Sequence, residues 1–442
     1  MKKNNAPRPL TAKKSTGLKG EVRVPGDKSI SHRALIFGSL ATGKTTINGL
    51  LEAEDVLNTA RALRSMGAHI EKKGEIWEIL GRGTGGLRQP KDCLDFGNSG
   101  TGARLMMGVV AGHDVTACFL GDTSLSRRPM GRVLKPLEQM GLTNLEKKET
   151  LPLTLRGTSN LVPIDYELPV PSAQIKSAIL IAGLMTSGET SVIEKQATRD
   201  HTERMLTYFG ADVISEIKKN RIKRITVTGD AELQGKNVIV PGDPSSAAFL
   251  IAASLITDGS DVTVKGVLIN ETRIGFYKTL LEMGANLTFL NERNQGGELV
   301  ADIRAKTSEL VGVHVPPERA PSMIDEYPVL AVVASLAKGT TRMDGLEELK
   351  VKESDRLAST ANGLIQNGVE VSLGSESLIV HGNKKVAGGG NVITNLDHRI
   401  GMAFLTLGLA ADKPVKVDDT SMISTSFPEF QSLMENLGAE YL

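Results

Sequence analysis

Positively charged side chains recur in polar segments that come directly before apolar runs of this chain. The first such segment is Pro25–Arg33, PGDKSISHR, where a Pro-Gly turn and Asp27 predict a capped helix start beside Lys28 and Arg33. A helix N-terminus attracts anions through its free N–H groups and its dipole, and two nearby cations strengthen that attraction. Taken alone, the segment fits a solvated, well-capped helix start equally well. Only repetition of the pattern favours a binding site.

The pattern does repeat along the chain, with Gly-rich or acidic variants of the same polar segment. The later segments supply Asn98, Gly100, Thr101, Arg104, Arg128, Ser172, Ala173, Gln174, Lys176, Arg199, Asp325, Glu326, Lys352, Glu353, Asp355, Arg356, Asp397, His398 and Arg399. Each carboxylate among them could simply cap a helix or pair with a neighbouring arginine. Cations gathered at several helix starts, however, repel one another unless a polyanionic ligand offsets their charge. The set as a whole predicts a site for small, multiply charged anions.

An internal repeat of about 70 residues must position these segments. Each repeat contains a helix that ends in a glycine before a strand, at Gly67, Gly141, Gly210, Gly284, Gly368 and Gly438. Each also contains an Ala/Leu-rich helix that is apolar nearly all round and is therefore predicted to be buried. Six such units favour two lobes of three, each with buried helices whose N-terminal ends carry the polar segments. Two facing lobes would form an anion-binding cleft.

The composition limits which ligands the protein could take. A net charge of +1 in 442 residues predicts no broad basic surface for nucleic acid. Cys93 and Cys118 are the only cysteines and provide neither a disulfide framework nor metal-ligand spacing, so we expect a reducing, cytoplasmic setting and no metal or cofactor. No stretch approaches the length of a transmembrane helix, and the basic N-terminus lacks the apolar core of a signal peptide.

Two nucleotide-binding patterns occur in the wrong structural context. GSLATGKT at 38–45 matches the Walker A pattern, but it is predicted to end a helix and precede a strand, the reverse of a phosphate loop. GRGTGG at 81–86 follows a strand-like segment but is succeeded by Pro90 and no helix. Because the Walker A pattern itself is complete, a P-loop nucleotide-binding protein is kept as the alternative from another functional class. Loss of activity in Lys44→Ala would favour that alternative.

The motifs PGDKSISHR, GNSGT, RRPMG, SAQIKSA, RDHTE, PSMIDEYP, VKESDR and LDHR, in this order, resemble the 3-phosphoshikimate 1-carboxyvinyltransferase (EPSP synthase) family over essentially the whole chain. FGNSGTGAR, SAQIKS and TSFPEF resemble the second sequence class of that family. The resemblance implies an α/β fold, a two-lobed inside-out barrel of six βαβαββ repeats, three in each lobe. It places residues 1–24 with 243–442 in one lobe, residues 25–242 in the other, and the active site in the cleft between them.

The resemblance also implies an activity, the transfer of the enolpyruvyl group of phosphoenolpyruvate to the 5-hydroxyl of shikimate 3-phosphate, and a set of site residues. Those expected to bind phosphoenolpyruvate are Lys28, Asn98, Gly100, Arg128, Gln174, Arg356 and Arg399. Those expected to bind shikimate 3-phosphate are Lys28, Ser29, Arg33, Ser172, Ala173, Gln174, Arg199, Asp325 and Lys352. Asp325, together with Lys28, is the candidate acceptor of the hydroxyl proton, and Glu353 is the candidate acid that protonates C3 of phosphoenolpyruvate. We expect a monomer without nucleic-acid or membrane partners.

Two positions distinguish this chain within that resemblance. Many family members carry a Lys just before the C-terminal Thr-Phe-Pro, where this chain has Thr425 and Ser426, so that contact to phosphoenolpyruvate must be absent or replaced. Members that tolerate the inhibitor glyphosate carry Ala where this chain has Gly100, so we expect this protein to be glyphosate-sensitive. The rival within the same chemistry is enolpyruvyl transfer to a UDP-sugar, which uses a cysteine on a mobile loop. Cys118 lies in a strand-like segment instead.

Overall fold

Six copies of one βαβαββ unit account for nearly all of the regular structure. The computed structural model describes residues 7–218 and 222–442. The apolar helices predicted to be buried are α1 (Lys28–Leu40), α3 (Gly100–Ala111), α5 (Ala173–Gly183), α7 (Pro244–Ile256), α9 (Tyr327–Ser335) and α11 (His398–Gly408). Nearly every residue of these helices is buried, as the all-round apolar pattern predicts.

The second helix of each unit is amphipathic and ends at the predicted glycine. These helices are α2 (Glu54–Ser65), α4 (Gly131–Met140), α6 (His201–Phe209), α8 (Gly275–Glu282), α10 (Arg356–Gln366) and α12 (Phe430–Leu437). All six terminal glycines have φ between +81° and +119°, a region that side chains with a Cβ rarely enter. The glycine spacing in the sequence therefore marks the helix ends correctly.

Each unit contributes a four-stranded sheet, and all six sheets share one strand order. The strands are numbered here by their place in the repeat. The first strand runs parallel to the second, and the fourth strand lies between the second and the third and is antiparallel to both. In unit order the sheets are β16 (Asn237–Ile239), β4 (Lys44–Asn48), β6 (Ile76–Leu80), β5 (His69–Lys73); β7 (Leu94–Asp95), β8 (Thr116–Leu120), β10 (Leu153–Arg156), β9 (Thr143–Asn144); β11 (Asp165–Glu167), β12 (Glu189–Glu194), β14 (Lys223–Thr228), β13 (Val213–Ile217); β2 (Lys19–Val22), β17 (Asp261–Leu268), β19 (Glu298–Lys306), β18 (Asn286–Gln295); β20 (His314–Val315), β21 (Lys338–Asp344), β23 (Ser377–Asn383), β22 (Glu370–Leu373); and β24 (Asn391–Val392), β25 (Val415–Val417), β1 (Leu10–Lys13), β26 (Glu440–Tyr441). A short pair, β3 (Ala41–Thr42) with β15 (Leu233–Gln234), completes the set.

Three of the six sheets are completed by a strand that is distant in sequence. β16 supplies the first strand of the first unit, β2 supplies the first strand of the fourth, and β1 supplies the last strand of the sixth. The sequence repeat therefore does not coincide with a contiguous structural unit at these places. Such pairings bring the two ends of the chain into one sheet, where β1 lies between β25 and β26.

The chain divides into two compact units. Unit 1 comprises the residues up to Pro25, Pro241–Asn294 and Leu299–Leu442, and unit 2 comprises Gly26–Val240 and Gln295–Glu298. The boundaries differ by one or two residues from those expected from the sequence, because the Asp243 N–H donates to the Pro25 carbonyl while the Val240 N–H donates to Asn48.

The tip of the β18–β19 hairpin, residues 295–298, departs from the expected division, which placed it with the C-terminal lobe. It groups with unit 2, where buried Glu298 accepts a 2.7 Å hydrogen bond from Nδ1 of His201. No helix in the described residues has both the length and the continuous apolar character needed to cross a bilayer.

Candidate active site

The first predicted site segment of unit 2 forms the start of α1. Asp27 caps this helix, its Oδ1 accepting a 2.8 Å hydrogen bond from the Ile30 N–H. Lys28 is the first helical residue, and its Nζ lies 2.9 Å from Oδ2 of Asp55. The Lys28 side chain is about one-fifth exposed, so this ion pair stays within reach of a ligand. The cap predicted from PGDKS is therefore correct, and Asp55 is a partner of Lys28 that the motif did not indicate.

Arg33 is almost completely buried, and neutral groups hold it. Its Nε donates to Thr202 Oγ1 at 2.7 Å, its Nη2 to Ser177 Oγ at 2.6 Å, and its Nη1 to the Ser29 carbonyl at 2.9 Å. Among the described residues, no carboxylate lies within ion-pair distance of this guanidinium. Burial lowers the pKa of Arg33 to about 10, partly opposed by the charge of Glu203, so Arg33 remains charged at neutral pH.

The starts of α3 and α5 are joined through Gln174. Its side-chain oxygen accepts a 2.9 Å hydrogen bond from Arg104 Nη1, and its amide nitrogen donates to Thr101 Oγ1 at 2.9 Å. Arg104 also donates to the carbonyls of Gly100 and Pro129. Two of the predicted polar segments are thereby fixed to each other within unit 2.

Arg128 is held next to Gly100 by Asn98. Its Nη2 donates to Asn98 Oδ1 at 2.6 Å and to Ser124 Oγ at 3.2 Å. The Nε of Arg128 is buried without a hydrogen-bond partner in the described residues. A Cβ added to Gly100 would lie 2.8 Å from Arg104 Nη1 and 3.3 Å from Arg128 Nη1, so the missing side chain lets two guanidinium groups approach the helix start.

In unit 1, the corresponding group is centred on Arg356, which is buried and surrounded by carboxylates. Its Nε donates to Asp397 Oδ2 at 2.8 Å, its Nη1 to Asp325 Oδ1 at 3.1 Å, and its Nη2 forms a very short contact with Glu353 Oε2. Burial alone would lower the pKa of Arg356. The charges of Asp397, Glu353 and Asp325 outweigh that effect and raise the pKa above its ordinary value.

Arg399 and Lys352 complete the group in unit 1. Arg399 Nη1 donates to the Asp325 carbonyl at 3.3 Å and lies 3.9 Å from Glu326 Oε1. Burial lowers the pKa of Lys352, opposed by the charge of Asp325 and assisted by that of Arg356. One electrostatically connected group therefore contains Asp325, Lys352, Glu353, Arg356, Asp397 and Arg399.

The remaining predicted residues of unit 2 take simpler positions. Ser172 caps α5 through the Ile175 N–H, and the Ala173 carbonyl accepts a 2.6 Å hydrogen bond from Ser177 Oγ. Arg199 is half-buried in the segment before α6, close enough for its charge to act on Arg33. Within unit 2, direct contacts link Arg33 to α5 and Gln174 to the start of α3.

The two nucleotide-binding patterns have the structures expected of accidental matches. α1 ends at Leu40 inside GSLATGKT, and Lys44 opens β4. GRGTGG follows β6 and leads into no helix. Cys118 lies in β8, where burial and the neighbouring Cys93 raise its thiol pKa to about 11. A thiol with so raised a pKa stays protonated at neutral pH and is a poor nucleophile. Enolpyruvyl transfer to a UDP-sugar, the alternative considered above, would require a reactive cysteine.

One group in the described residues has the ligand types of a metal site, although the sequence predicts none. It consists of Asp200, His201 and Glu298, whose candidate ligand atoms lie within 4.8 Å of one another. Arg204 Nε already lies 2.8 Å from Asp200 Oδ2 and 3.8 Å from Glu298 Oε2. A guanidinium therefore supplies positive charge to these carboxylates.

Sequence reasoning missed the residues that hold the arginines. Thr202 and Ser177 are far from Arg33 in sequence, and no motif spacing links them to it. The sequence predicts that Asp397 could cap α11 or pair with a neighbouring arginine, but it does not indicate Arg356 as the partner. Asp397 caps that helix through Oδ1 and binds Arg356 through Oδ2. An acidic residue at a helix start next to an arginine was the available signal for Asp397, whereas none existed for the two hydroxyls.

The Thr425–Ser426 segment replaces the lysine found in much of the resembled family. Thr425 ends a short 3₁₀ turn, Ser421–Thr425, and its hydroxyl donates to the Met422 carbonyl at 2.7 Å. That hydroxyl is therefore engaged locally.

The fold and the two residue groups define a class of protein. Six βαβαββ repeats, helix starts rich in arginine and glycine, and carboxylates paired with arginine are typical of a transferase that acts on small, multiply anionic substrates. The family model described as EPSP synthase (3-phosphoshikimate 1-carboxyvinyltransferase) matches residues 12–434. The chain belongs to the EPSP synthase family.

Individual relatives agree over the full length of the chain. A 3-phosphoshikimate 1-carboxyvinyltransferase of Pseudomonas sp. (strain PG2982) is 57% identical over 443 residues, covering 100% of this chain and 99% of that protein. The enzyme of the same name from Brucella melitensis biotype 2 is 56% identical, with 100% and 98% coverage. The solved structure of EPSP synthase from Acinetobacter baumannii has a TM-score of 0.87 at 42% identity, covering 98% of this chain and 99% of that one.

Proposed function

We propose that this chain transfers the enolpyruvyl group of phosphoenolpyruvate to the 5-hydroxyl of shikimate 3-phosphate. The products would be 5-enolpyruvylshikimate 3-phosphate and inorganic phosphate, a step of the shikimate pathway to the aromatic amino acids. The observation that carries this proposal is the group formed by Asp325, Glu353, Arg356 and Arg399, in which carboxylates suited to proton transfer contact arginines suited to an anionic substrate. The two residue groups are proposed to act on the same pair of substrates.

Phosphoenolpyruvate carries a phosphate and a carboxylate, and the two residue groups offer suitable partners for each. Lys28, Arg128, Gln174 and the N–H of Gly100 are proposed to bind the phosphate, with Asn98 orienting Arg128. The buried, unpartnered Nε of Arg128 is a donor that a phosphate oxygen would satisfy. The planar fork of an arginine matches a carboxylate, and we assign that role to Arg356 and Arg399.

Shikimate 3-phosphate is proposed to bind the remaining residues, which combine cations with helix-start donors. They are Lys28, Ser29, Arg33, Ser172, Ala173, Gln174, Arg199, Asp325 and Lys352. Ser172 and Ala173 begin α5, where free N–H groups favour a phosphate. Arg33, held only by neutral groups, keeps its full charge for an anionic substituent.

Proton transfer is assigned to the carboxylates of unit 1. Asp325 is paired with Arg356 at 3.1 Å, which favours the ionised form that can accept the hydroxyl proton as the carbon–oxygen bond forms at C2. Glu353 is proposed to protonate C3 of phosphoenolpyruvate, which gives a tetrahedral intermediate; a C3 proton is then lost as the C2–O bond to the phosphate breaks and phosphate leaves. In the free protein, the contact between Glu353 and Arg356 favours the carboxylate. A substrate carboxylate that binds Arg356 competes with Glu353 for the guanidinium and so makes protonation of Glu353 easier.

A phosphate-release assay tests this function directly. Wild-type protein is expected to release phosphate from phosphoenolpyruvate only when shikimate 3-phosphate is present, and Asp325→Ala is expected to lose at least about 10²-fold in turnover. Asp344→Ala is the matched control, since Asp344 pairs with Arg342 on β21, outside the site. Release without the acceptor, or undiminished turnover in Asp325→Ala, would contradict the proposed mechanism.

Sensitivity to glyphosate follows from the space beside Gly100. The methyl group of Gly100→Ala would force the guanidinium of Arg104 to move and that of Arg128 to shift by a few tenths of an ångström, and it would narrow the region assigned to phosphoenolpyruvate. We expect the inhibition constant for glyphosate to rise at least about tenfold and the KM for phosphoenolpyruvate to rise less. Equal inhibition constants for the two proteins would contradict the proposal.

We further propose that the protein acts as a monomer in the cytoplasm. Both cysteines are unpaired, as expected in a reducing compartment. Light scattering of the active protein tests the monomer, and a dimeric mass would contradict it.

A further inference from the structure

The hydrogen-bond network around Arg33 is fully determined by the donors and acceptors present. Ser177 Oγ donates to the Ala173 carbonyl at 2.6 Å, because a carbonyl can only accept. The 2.7 Å contact between Ser177 and Thr202 must then use the Thr202 proton, which leaves both oxygens to accept from Arg33. The two hydroxyls thus form an ordered, buried cradle for one guanidinium.

Helices α5 and α6, which carry Ser177 and Thr202, also hold a second cation, but with carboxylates instead of hydroxyls. Lys176, next to Ser177 on α5, has its Nζ 2.7 Å from Glu203 Oε1 and 3.2 Å from Glu194 Oε2. Glu203 is the residue after Thr202 on α6. The carboxylates of this region therefore contact Lys176, while Arg33 beside it receives hydroxyls.

Because the nearby carboxylates contact Lys176 and not Arg33, burial of Arg33 destabilises the folded state. A buried cation is stabilised most by a paired carboxylate. The hydroxyls hold the guanidinium in place without neutralising it. Three of its five N–H donors are used by Thr202, Ser177 and Ser29, which leaves two for a ligand.

We propose that Ser177 and Thr202 are positioning residues that fix Arg33 while keeping its positive charge available to an anionic group of the acceptor substrate. The inference rests on the proposed function, in which that substrate is shikimate 3-phosphate. It predicts opposite effects on stability and on binding for a substitution that supplies the missing carboxylate.

Three substitutions of Thr202 separate geometry from charge. Thr202→Val keeps the shape and removes the acceptor, and we expect the KM for shikimate 3-phosphate to rise about tenfold while the KM for phosphoenolpyruvate changes less than about twofold. Thr202→Ser restores the hydroxyl and should restore the wild-type KM. Thr202→Asp should raise or maintain the thermal midpoint but raise the KM for shikimate 3-phosphate at least about tenfold, because it neutralises Arg33.

A control and a function-independent measurement complete the test. Thr190→Val removes another buried hydroxyl of unit 2 that does not contact Arg33, and it should leave both KM values unchanged. The Arg33 Nε–H resonance, assigned by its loss in Arg33→Lys, should exchange slowly with water in the wild type and rapidly in Thr202→Val. Should Thr202→Val fail to fold, Ser177→Ala is measured in the same way.

The outcomes are distinct. An unchanged shikimate 3-phosphate KM in Thr202→Val, or a Thr202→Asp protein with wild-type KM, would overturn the positioning role. A wild type that does not consume shikimate 3-phosphate would overturn the proposed function. The Nε–H exchange comparison would then still decide whether the hydroxyls hold Arg33, and equal exchange in wild type and Thr202→Val would overturn that as well.

Discussion

The two units hold their arginines in chemically different ways. In unit 2, Arg33 and Arg128 donate to hydroxyl, amide and carbonyl oxygens, whereas the two lysines Lys28 and Lys176 pair with carboxylates. In unit 1, Arg356 alone contacts three carboxylates, and Arg399 lies near two. Neutral partners leave positive charge for a phosphate, whereas carboxylate partners create a nearly balanced group in which protons and anions can exchange. The difference predicts that unit 2 is built mainly for binding and unit 1 mainly for proton transfer.

The largest expected effect is on stability, in Arg356→Met. Removing this cation leaves buried Asp397 and the partly buried Asp325 and Glu353 without their shared partner, and breaking a buried ion pair costs about 3–5 kcal/mol. Urea unfolding measures the loss. Arg342→Met is the control, since that arginine is more than half exposed and should cost at most about 1 kcal/mol. Similar losses of unfolding free energy in both proteins would contradict the view that the buried carboxylate group around Arg356 depends on this cation.

The next largest effect is expected on the activation free energy of the reaction, in Glu353→Gln. The amide keeps the shape but cannot deliver a carboxylic proton, and Arg356 retains Asp397 and Asp325, so the fold should survive. Turnover should fall about 10²-fold with unchanged urea unfolding. Glu347→Gln, at an exposed position in the 3₁₀ segment Glu347–Val351 that precedes Glu353, should keep wild-type turnover. A Glu353→Gln protein as active as wild type would exclude the proposed acid.

The pH dependence of stability is expected to report the burial of His32 in unit 2. Burial lowers the pKa of His32 to about 3, assisted by Lys28 and Arg33 and opposed by Asp27. The unfolded chain therefore binds a proton below about pH 6.5 that the folded chain does not, and stability falls as the pH decreases from 6.5 towards 3. The slope contributed by His32 should approach about 1.4 kcal/mol per pH unit.

Substitutions at two histidines test the source of that slope. His32→Asn should remove its contribution from urea unfolding measured at several pH values, whereas exposed His69→Asn should retain it. Arg33→Met should raise the His32 pKa, because one of the nearby positive charges is gone. An unaltered slope in His32→Asn would show that other groups dominate.

The smallest expected effect on stability is in Arg33→Met. Only neutral groups lose a partner, and Ser177 and Thr202 keep their mutual 2.7 Å hydrogen bond, so the free energy of unfolding should change by less than about 1 kcal/mol. Shikimate 3-phosphate binding should nevertheless be lost. Urea unfolding beside that of Arg356→Met measures the contrast, and a comparable loss in both proteins would contradict the comparison between the two units.

Local features of the fold could be predicted from the sequence because their causes are local. PGDKS predicts the Asp27 cap, and each glycine before a strand marks a helix end, since both depend on the conformational preferences of a few adjacent residues. The all-round apolar pattern of α7 or α9 requires burial for the same reason. The local pattern also excluded the Walker A match, because GSLATGKT ends a helix and precedes a strand, the reverse of a phosphate loop.

The partners of the site residues could not be predicted in this way, because they come from distant parts of the chain. Arg33 meets Thr202 169 positions away, and Arg356 meets Asp397 41 positions away. Nothing in the spacing of the motifs distinguishes a hydroxyl partner from a carboxylate partner. The same limitation applies to the strands β1, β2 and β16, which complete sheets far from their place in the sequence.

The sequence by itself determined the repeating βαβαββ elements, the helix starts that carry the charged residues, and the family to which these motifs point. Those properties follow from the periodicity of apolar residues and from local conformational preferences that extend over one or two helical turns. The tertiary structure alone decided which arginines are neutralised and which keep their charge. That outcome depends on which side chains of remote helices pack together, and it determines which chemistry each group of residues can support.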